Sequence, residues 1–154
     1  MKQSALPRVL AAGTQDAIDL VRRLLDGDAA VVPALSVEAA VQRLDAGIAL
    51  ILANVGFDDS RIFDFLGALQ EGAFRSVPVV CFRMRSAGLP PAMEKSVEMA
   101  LAEIGIAAFV DLDAIARERG IEAALSVLRA RALGALAPVS GSPEPARAPG
   151  RSPA

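Results

Sequence analysis

Ala49-Leu50-Ile51-Leu52-Ala53-Asn54-Val55-Gly56 is the stretch of sequence that decides the fold. Its five consecutive apolar residues show no polar alternation, which is typical of a strand buried on both faces in the middle of a parallel sheet. The run ends at a neutral amide, Asn54. Open parallel α/β sheets bind ligands in the crevice at the carboxyl ends of their strands. We therefore expect Asn54 to lie at the functional edge of the sheet, where it supplies no charge, nucleophile or proton.

The composition of the chain narrows the class of protein. The 154 residues fit a single domain, and 53% of them are hydrophobic, enough for a sizeable core. The 16 basic and 18 acidic residues balance, whereas a nucleic-acid binder needs a basic surface. No apolar run approaches the ~18 residues of a membrane span, the N-terminus lacks the apolar core of a signal peptide, and the single cysteine fits a reducing compartment. We expect a cytoplasmic protein that binds neither nucleic acid nor membrane.

The missing residue types exclude several kinds of catalytic and metal site. The chain has no histidine, which is the commonest acid–base residue near neutral pH and a common metal ligand. Cys81 is the only cysteine, so neither a Cys/His zinc site nor a Cys-His or Ser-His-Asp arrangement exists. Its apolar neighbours favour a buried, inert thiol. We predict no enzymatic activity, no cofactor and no metal.

Strand-like runs alternate with helical patterns along the rest of the chain. Pro33 cannot donate to a β ladder, so the second strand belongs at an edge or ends at this residue. Apolar spacing of three and four residues predicts the inward faces of the helices. The predicted strands are at 8–12, 29–34, 49–54, 77–82 and 107–110. Three helices are capped by Thr14, by Ser36 (37–45, with Ala40, Val41 and Leu44 inward) and by Ser60 (with Ile62, Phe63, Phe65, Leu66 and Leu69 buried). The remaining elements are a loop at 83–91, a helix at 92–104, a helical turn opened by Asp113, and a last helix at 121–136.

Five strand–helix repeats predict an α/β fold with helices on both faces of a parallel sheet. We assign residues 1–136 to this domain. Residues 137–154 are almost entirely Pro, Ser, Gly, Ala and Arg, and we expect them to form a disordered tail, because they lack the bulky apolar residues that offset ordering entropy.

Four segments together resemble a known family. They are the second strand and helix at 31–41, the central strand from Leu50 to Val55, the fourth strand Val77-Pro78-Val79-Val80, and the fifth strand Gly105-Ile106-Ala107-Ala108-Phe109-Val110. Over residues 7–135 the order of these segments resembles the receiver (CheY-like) domain of bacterial two-component response regulators. The resemblance implies a flavodoxin-like, doubly wound sheet of five parallel strands in the order 2-1-3-4-5.

The resemblance also implies that the phosphorylation site has lost its chemistry. Gly13 and Thr14 stand where the family has two acidic metal ligands, and Asn54 stands where it has the phosphoacceptor Asp. Arg83 replaces a small hydroxyl residue. The phosphate-contacting Lys is replaced by Leu112, or by Asp111 if the register shifts by one residue. An amide cannot form an acyl phosphate, and a divalent cation needs clustered oxygen ligands. The chain therefore resembles a degenerate, or pseudo-, receiver.

Two hypotheses concern the charges at this edge. In the first, the Arg83 guanidinium fills the space of the missing phosphate and metal and pairs with a crevice carboxylate, Asp58 or Asp111. In the second, five carboxylates gather as a substitute magnesium site; they are Asp16, Asp58, Asp59, Asp111 and Asp113. The alternative to a metal site is that these residues are helix-start and loop charges.

We expect a stand-alone pseudo-receiver of the phosphorelay type that acts as an adaptor or regulator through protein–protein contact. Its predicted surface is the face formed by the fourth helix, the fifth strand and the last helix, which could also form a homodimer. The alternative is a small α/β nucleotide- or anion-binding protein, or an enzyme, using the Gly13-Thr14 turn and the helix start behind it. A third reading is a purely structural dimer.

Overall fold

Hydrophobic strands and helices alternate in the order that the sequence predicts. The computed structural model describes residues 6–56, 61–84 and 91–136. The tail and the domain boundary at 136 to 137 were predictions; residues 137–154 lie outside the described residues. The elements are β1 (Arg8–Ala12), α1 (Gln15–Leu24), β2 (Ala30–Ala34), α2 (Val37–Arg43), β3 (Ile48–Asn54), α3 (Ile62–Glu71), β4 (Val79–Arg83), α4 (Pro91–Ile104), β5 (Ala108–Asp111), α5 (Leu112–Arg119) and α6 (Ile121–Leu136).

The five strands form one parallel sheet in the order β2-β1-β3-β4-β5, which confirms the predicted topology. β2 is an edge strand, as expected from Pro33, which has no backbone N–H to donate. β3 lies in the middle of the sheet, and its residues Leu50, Ile51, Leu52 and Ala53 are completely buried. Its carboxyl end therefore lies at the centre of the ligand-binding edge of this fold class.

Two apolar cores cover the two faces of the sheet. Leu50 and Leu52 of β3 point to the face covered by α1, α5 and α6, whereas Ile51 and Ala53 point to the face covered by α2, α3 and α4. Side chains alternate between faces along a strand. The same alternation places Asn54 on the α1 side and assigns Arg83, two residues after Cys81, to the opposite side.

The helix starts show which capping predictions hold. The Thr14 hydroxyl accepts a hydrogen bond from Ala17 N–H at 3.3 Å, and Ser36 caps α2 in the same way through Ala39 N–H at 3.1 Å. The N-cap position of α3 is Arg61, without a side-chain cap; Ser60, the predicted cap, lies outside the described residues. The prediction that Asp113 opens the helix after β5 is wrong, because Asp111 is the N-cap of α5.

Two predicted core residues are at the surface. Phe63 is 36% exposed, because the buried side of α3 consists of Ile62, Phe65, Leu66 and Leu69, and Phe63 lies about 100° away from Ile62 around the helix. Val41 is 43% exposed, since α2 ends at Arg43, two residues before its predicted end, and Leu44 has an extended backbone. Among residues 6–56, 61–84 and 91–136, no helix has both the length and the apolar character needed to cross a bilayer.

Candidate functional site

Asn54 is the last residue of β3 and lies buried at the carboxyl edge of the sheet. Its side-chain Oδ1 accepts a hydrogen bond from Gly56 N–H at 3.1 Å, which fixes the turn that leaves the strand. Only 3% of the residue is exposed, and its buried Nδ2 has no hydrogen-bond acceptor among the residues that the structure describes. A buried unsatisfied donor is uncommon and costs about 1–3 kcal/mol. This edge of the sheet thus carries a neutral amide held in one orientation.

Gly13 lies against Asn54 at the turn between β1 and α1. A Cβ atom at residue 13 would be 3.0 Å from the Cβ of Asn54 and 3.0 Å from the Cβ of Ala17. The Gly13 N–H donates to the carbonyl of Ala34 at 3.1 Å, which holds the turn against β2. Any side chain here, an acidic one included, would therefore require its neighbours to move.

Thr14, the next residue, uses its side chain locally. Its Oγ1 accepts the Ala17 N–H at the start of α1. Asp16 follows in the first turn of the same helix, where a carboxylate interacts favourably with the helix dipole. Thr14 thus occupies one of the N–H donors that the amino end of α1 would otherwise offer to an anion.

Arg83 and Asp111 form an ion pair across the ends of β4 and β5. Arg83 Nη1 donates to Asp111 Oδ2 at 2.7 Å, and the two side chains are 7% and 26% exposed. The residues are Cα partners in the parallel ladder. Asp111 also accepts the Ala114 N–H through Oδ1 at 3.0 Å. One carboxylate therefore connects the end of β4 to the first turn of α5.

An aromatic ring lies beneath this ion pair. The guanidinium carbon of Arg83 is 5.2 Å from the centre of the Phe109 ring, a distance at which a cation is attracted to the face of an aromatic ring. Phe109 and Asp111 are two residues apart on β5 and share a face of the sheet. Both hold the buried guanidinium on the α2–α4 side.

Arg83 was predicted to open the loop at 83–91, but it is the last residue of β4. The hypothesis that it pairs with a crevice carboxylate agrees with the contact to Asp111; Asp58, the other candidate, lies outside the described residues. The structure does not place Asn54 on the same face as this pair. Leu112 is 3% exposed and packs in the core on the α1 side. Asp111, the alternative to Leu112 at the position of the family's Lys, is the residue that contacts Arg83.

The described carboxylates do not form a metal cluster. Within residues 6–56, 61–84 and 91–136, no three His, Cys, Asp or Glu side chains gather in a way that could hold a metal ion. Asp16, Asp111 and Asp113 belong to that part of the chain, and Asp58 and Asp59 do not. Cys81 is a buried free thiol, and burial raises its pKa to about 12, because the interior disfavours the thiolate.

Three features of this edge were not anticipated from the sequence. They are the buried Nδ2 of Asn54, the close approach of Gly13 to it, and the Phe109 ring under Arg83. The position of the Phe109 ring could have been predicted, because residues two apart on one strand point to the same face of the sheet. The first two depend on how closely the β1–α1 turn approaches β3, which no local pattern encodes.

The strand order and the helices on both faces of the sheet define the class of fold as CheY-like, or flavodoxin-like. No protein-family model and no curated protein sequence matches the chain. Among solved structures, a response regulator receiver domain protein from Clostridium thermocellum aligns with a TM-score of 0.62 and 13% identity over 86% of this chain and 95% of that one. A response regulator from Hahella chejuensis aligns with a TM-score of 0.60 and 20% identity, over 86% of this chain and 98% of that one. The chemotaxis response regulator CheY4 of Vibrio cholerae aligns with a TM-score of 0.58 and 16% identity, over 82% of this chain and 99% of that one. At these identities the likeness establishes the CheY-like, flavodoxin-like fold.

Proposed function

We propose that this chain is a pseudo-receiver, a cytoplasmic adaptor or regulator of a two-component (phosphorelay) pathway that acts through protein–protein contact without being phosphorylated and without catalysing a reaction. The observation that carries this proposal is the neutral amide of Asn54 at the carboxyl end of β3. Formation of an acyl phosphate requires a carboxylate at such a position. A supporting acid at residue 13 would also be crowded, because its Cβ would lie 3.0 Å from the Cβ atoms of Asn54 and Ala17.

In this proposal the ion pair between Arg83 and Asp111 replaces phosphorylation as the factor that sets the conformation. A buried guanidinium supplies a permanent positive charge at the carboxyl edge of the sheet, and its contacts reach β5 and the start of α5. Breaking one partner of such a pair is costly. The corner formed by β4, β5 and α5 thus keeps one arrangement in the absence of any phosphoryl group.

The proposed contact surface for a signalling protein is the face formed by α4, β5 and α6. Met99 of α4 is 61% exposed, so a large apolar side chain is available for contact on this helix. Its neighbours on α4 include the exposed acids Glu98 and Glu103, whereas α6 exposes Arg131 next to β5. An apolar centre with charged surroundings is the usual composition of a transient protein interface.

The alternative function, binding of a nucleotide or another anion at the Gly13-Thr14 turn, has less support. The Thr14 hydroxyl already accepts the Ala17 N–H, and Asp16 adds a negative charge within the first turn of α1. An incoming phosphate would meet that carboxylate at close range. Thermal denaturation with and without nucleotides tests this alternative, since a ligand well above its dissociation constant raises the stability of the folded state.

Affinity capture from extracts of the source cells tests the proposed function. The tagged chain, Met99→Glu and the control Val41→Glu, which alters another exposed apolar residue on α2, are compared with and without acetyl phosphate and Mg²⁺. We expect the same protein to bind the wild-type chain and Val41→Glu in both conditions, and to bind Met99→Glu at least several-fold less. Capture that requires the phosphodonor, or that Met99→Glu leaves unchanged, would contradict the proposal.

A further inference from the structure

A groove lies between the start of β5 and the last turns of α6, and we call it the β5–α6 groove. Its volume is about 280 Å³, and its lining includes Ala107 and Ala108 on one side and Ala130, Gly134 and Ala135 of α6 on the other. These residues are small, so the helix and the strand leave open space between them. A Cβ atom added at Gly134 would meet no other atom within 4 Å. The groove therefore has room for a bulkier apolar side chain.

The charged residue that lines the β5–α6 groove is Arg131. Within the part of the chain that the structure describes, no residue forms an ion pair or a side-chain hydrogen bond with it. Arg129, two residues earlier on α6, is turned towards α1, where it contacts Asp28 at 2.5 Å and the carbonyl of Leu24 at 3.3 Å. The groove thus offers a positive charge to an acidic group.

The chain continues directly from this groove, because α6 ends at Leu136, the residue after Ala135. Among residues 137–154, Val139 is the only branched apolar residue and Glu144 the only acidic one. An extended segment advances about 3.1 Å per residue, so Val139 lies within about 12 Å of Ala135 and Glu144 within about 28 Å. The groove extends only about 8 Å along the axis of α6, from Ala130 to Ala135. Both residues can therefore reach it.

We infer that segment 137–144 of the same chain docks in the β5–α6 groove, with Val139 against the small residues of the lining and Glu144 paired with Arg131. A tethered segment has an effective concentration in the millimolar range, so a few contacts are sufficient. The proline residues of the segment also reduce the conformational entropy that docking costs.

The docked segment covers the α6 part of the face formed by α4, β5 and α6. A signalling protein that binds this face has to displace the segment first, so the segment limits access to the face. This consequence rests on the proposed function, whereas the docking itself does not.

Disulfide trapping in the full chain tests the docking. Ala130→Cys combined with Val139→Cys places two thiols at the contact, while the buried Cys81 stays unreactive. We expect this pair to close under oxidised glutathione roughly ten-fold faster than Ser126→Cys with Val139→Cys, since Ser126 is exposed on α6 outside the groove. Intact mass spectrometry of the monomer measures closure.

The charge pair is tested in the same assay. Glu144→Arg should slow closure of the first pair about three- to five-fold, and Arg131→Glu added to it should restore the rate, because the exchanged charges attract each other again. Amide NMR gives a second readout without new cysteines: Val139→Ser should shift the signals of Ala108 and Gly134 and leave that of Gly67 in α3 unchanged.

Three results would overturn the inference. They are equal closure rates for the two cysteine pairs, no recovery in the charge-exchange variant, and signals of Ala108 and Gly134 that Val139→Ser leaves in place. Circular dichroism of each variant verifies folding, and if a cysteine pair is unfolded, the NMR comparison decides the question. None of these results depends on capture of a signalling partner.

Discussion

Arg83 Nη1 and Asp111 Oδ2 lie 2.7 Å apart, across neighbouring strands whose ends form the functional edge of the sheet. The arginine is almost completely buried, stacks over Phe109 and ends β4. The aspartate ends β5 and caps α5. Removing either residue therefore affects a strand end and a helix start at once, which makes the pair the best place to test how the site is held together.

Arg83→Ala is expected to lower the free energy of unfolding by about 2–3 kcal/mol, because the half-buried Asp111 then loses its guanidinium partner. Arg8→Ala is the matched control, since Arg8 pairs with Asp45 at an exposed site, where an ion pair contributes only about 0–1 kcal/mol. Urea denaturation measures both values. Equal losses for the two variants would show that burial adds nothing to the Arg83 pair.

The two oxygens of Asp111 have separable roles. Asp111→Asn keeps a side-chain oxygen that can accept the Ala114 N–H but removes the charge, whereas Asp111→Ala removes the helix cap as well. Asp111→Ala should be less stable than Asp111→Asn by about 1 kcal/mol, the usual contribution of an N-cap. Chemical denaturation of the two variants gives this difference directly, and equal stabilities would mean that the cap contributes nothing.

Gly13→Ala should destabilise the fold by about 1–3 kcal/mol, because its Cβ would meet Asn54 and Ala17 at 3.0 Å. Gly67→Ala, inside α3, is the control: a Cβ there meets no atom within 4 Å, and we expect a gain of about 0.5–1 kcal/mol from higher helix propensity. Thermal denaturation compares them. A Gly13→Ala variant as stable as the wild type would show that the turn can move away from β3.

Cys81 should make stability fall at alkaline pH. Burial raises the pKa of its thiol from 9.0 to about 12, so between those values the unfolded chain loses a proton that the folded chain keeps. The free energy of unfolding then decreases with rising pH, by up to about 1.4 kcal/mol for each pH unit. Denaturation of the wild type and Cys81→Ala at pH 8 and pH 10 isolates this contribution. Parallel pH profiles would indicate that the folded thiol ionises like a free one.

The fold could be predicted from the sequence because its signals are local and repeated. Five apolar strand runs, the caps at Thr14 and Ser36, and Pro33 in β2 agree with one topology. The errors have equally local causes. Phe63 was assigned to the core although a helical period starting at Ile62 reaches Phe65 and Leu66. The helix α5 starts at Leu112, one residue earlier than predicted, because Asp111, the last residue of β5, also caps the helix.

The candidate site could be predicted only in part. The residue types at Gly13, Asn54 and Arg83 are visible in the sequence, and a pairing of Arg83 with Asp111 was among the alternatives. The distribution of these residues over the two faces of the sheet follows from strand register, which determines the face to which each side chain points. The close packing that would put a Cβ at residue 13 only 3.0 Å from the Cβ of Asn54 is a tertiary property and leaves no mark in the sequence.

The most direct test of the central claim is mass spectrometry of the intact chain after incubation with acetyl phosphate and Mg²⁺. A receiver domain that has the acidic residue in this position serves as the positive control, and Asn54→Asp shows whether a carboxylate alone is sufficient. We predict no added phosphoryl group on the wild-type chain, because Asn54 presents an amide at the end of β3. A base-labile phosphoryl adduct on the wild-type protein would contradict the account.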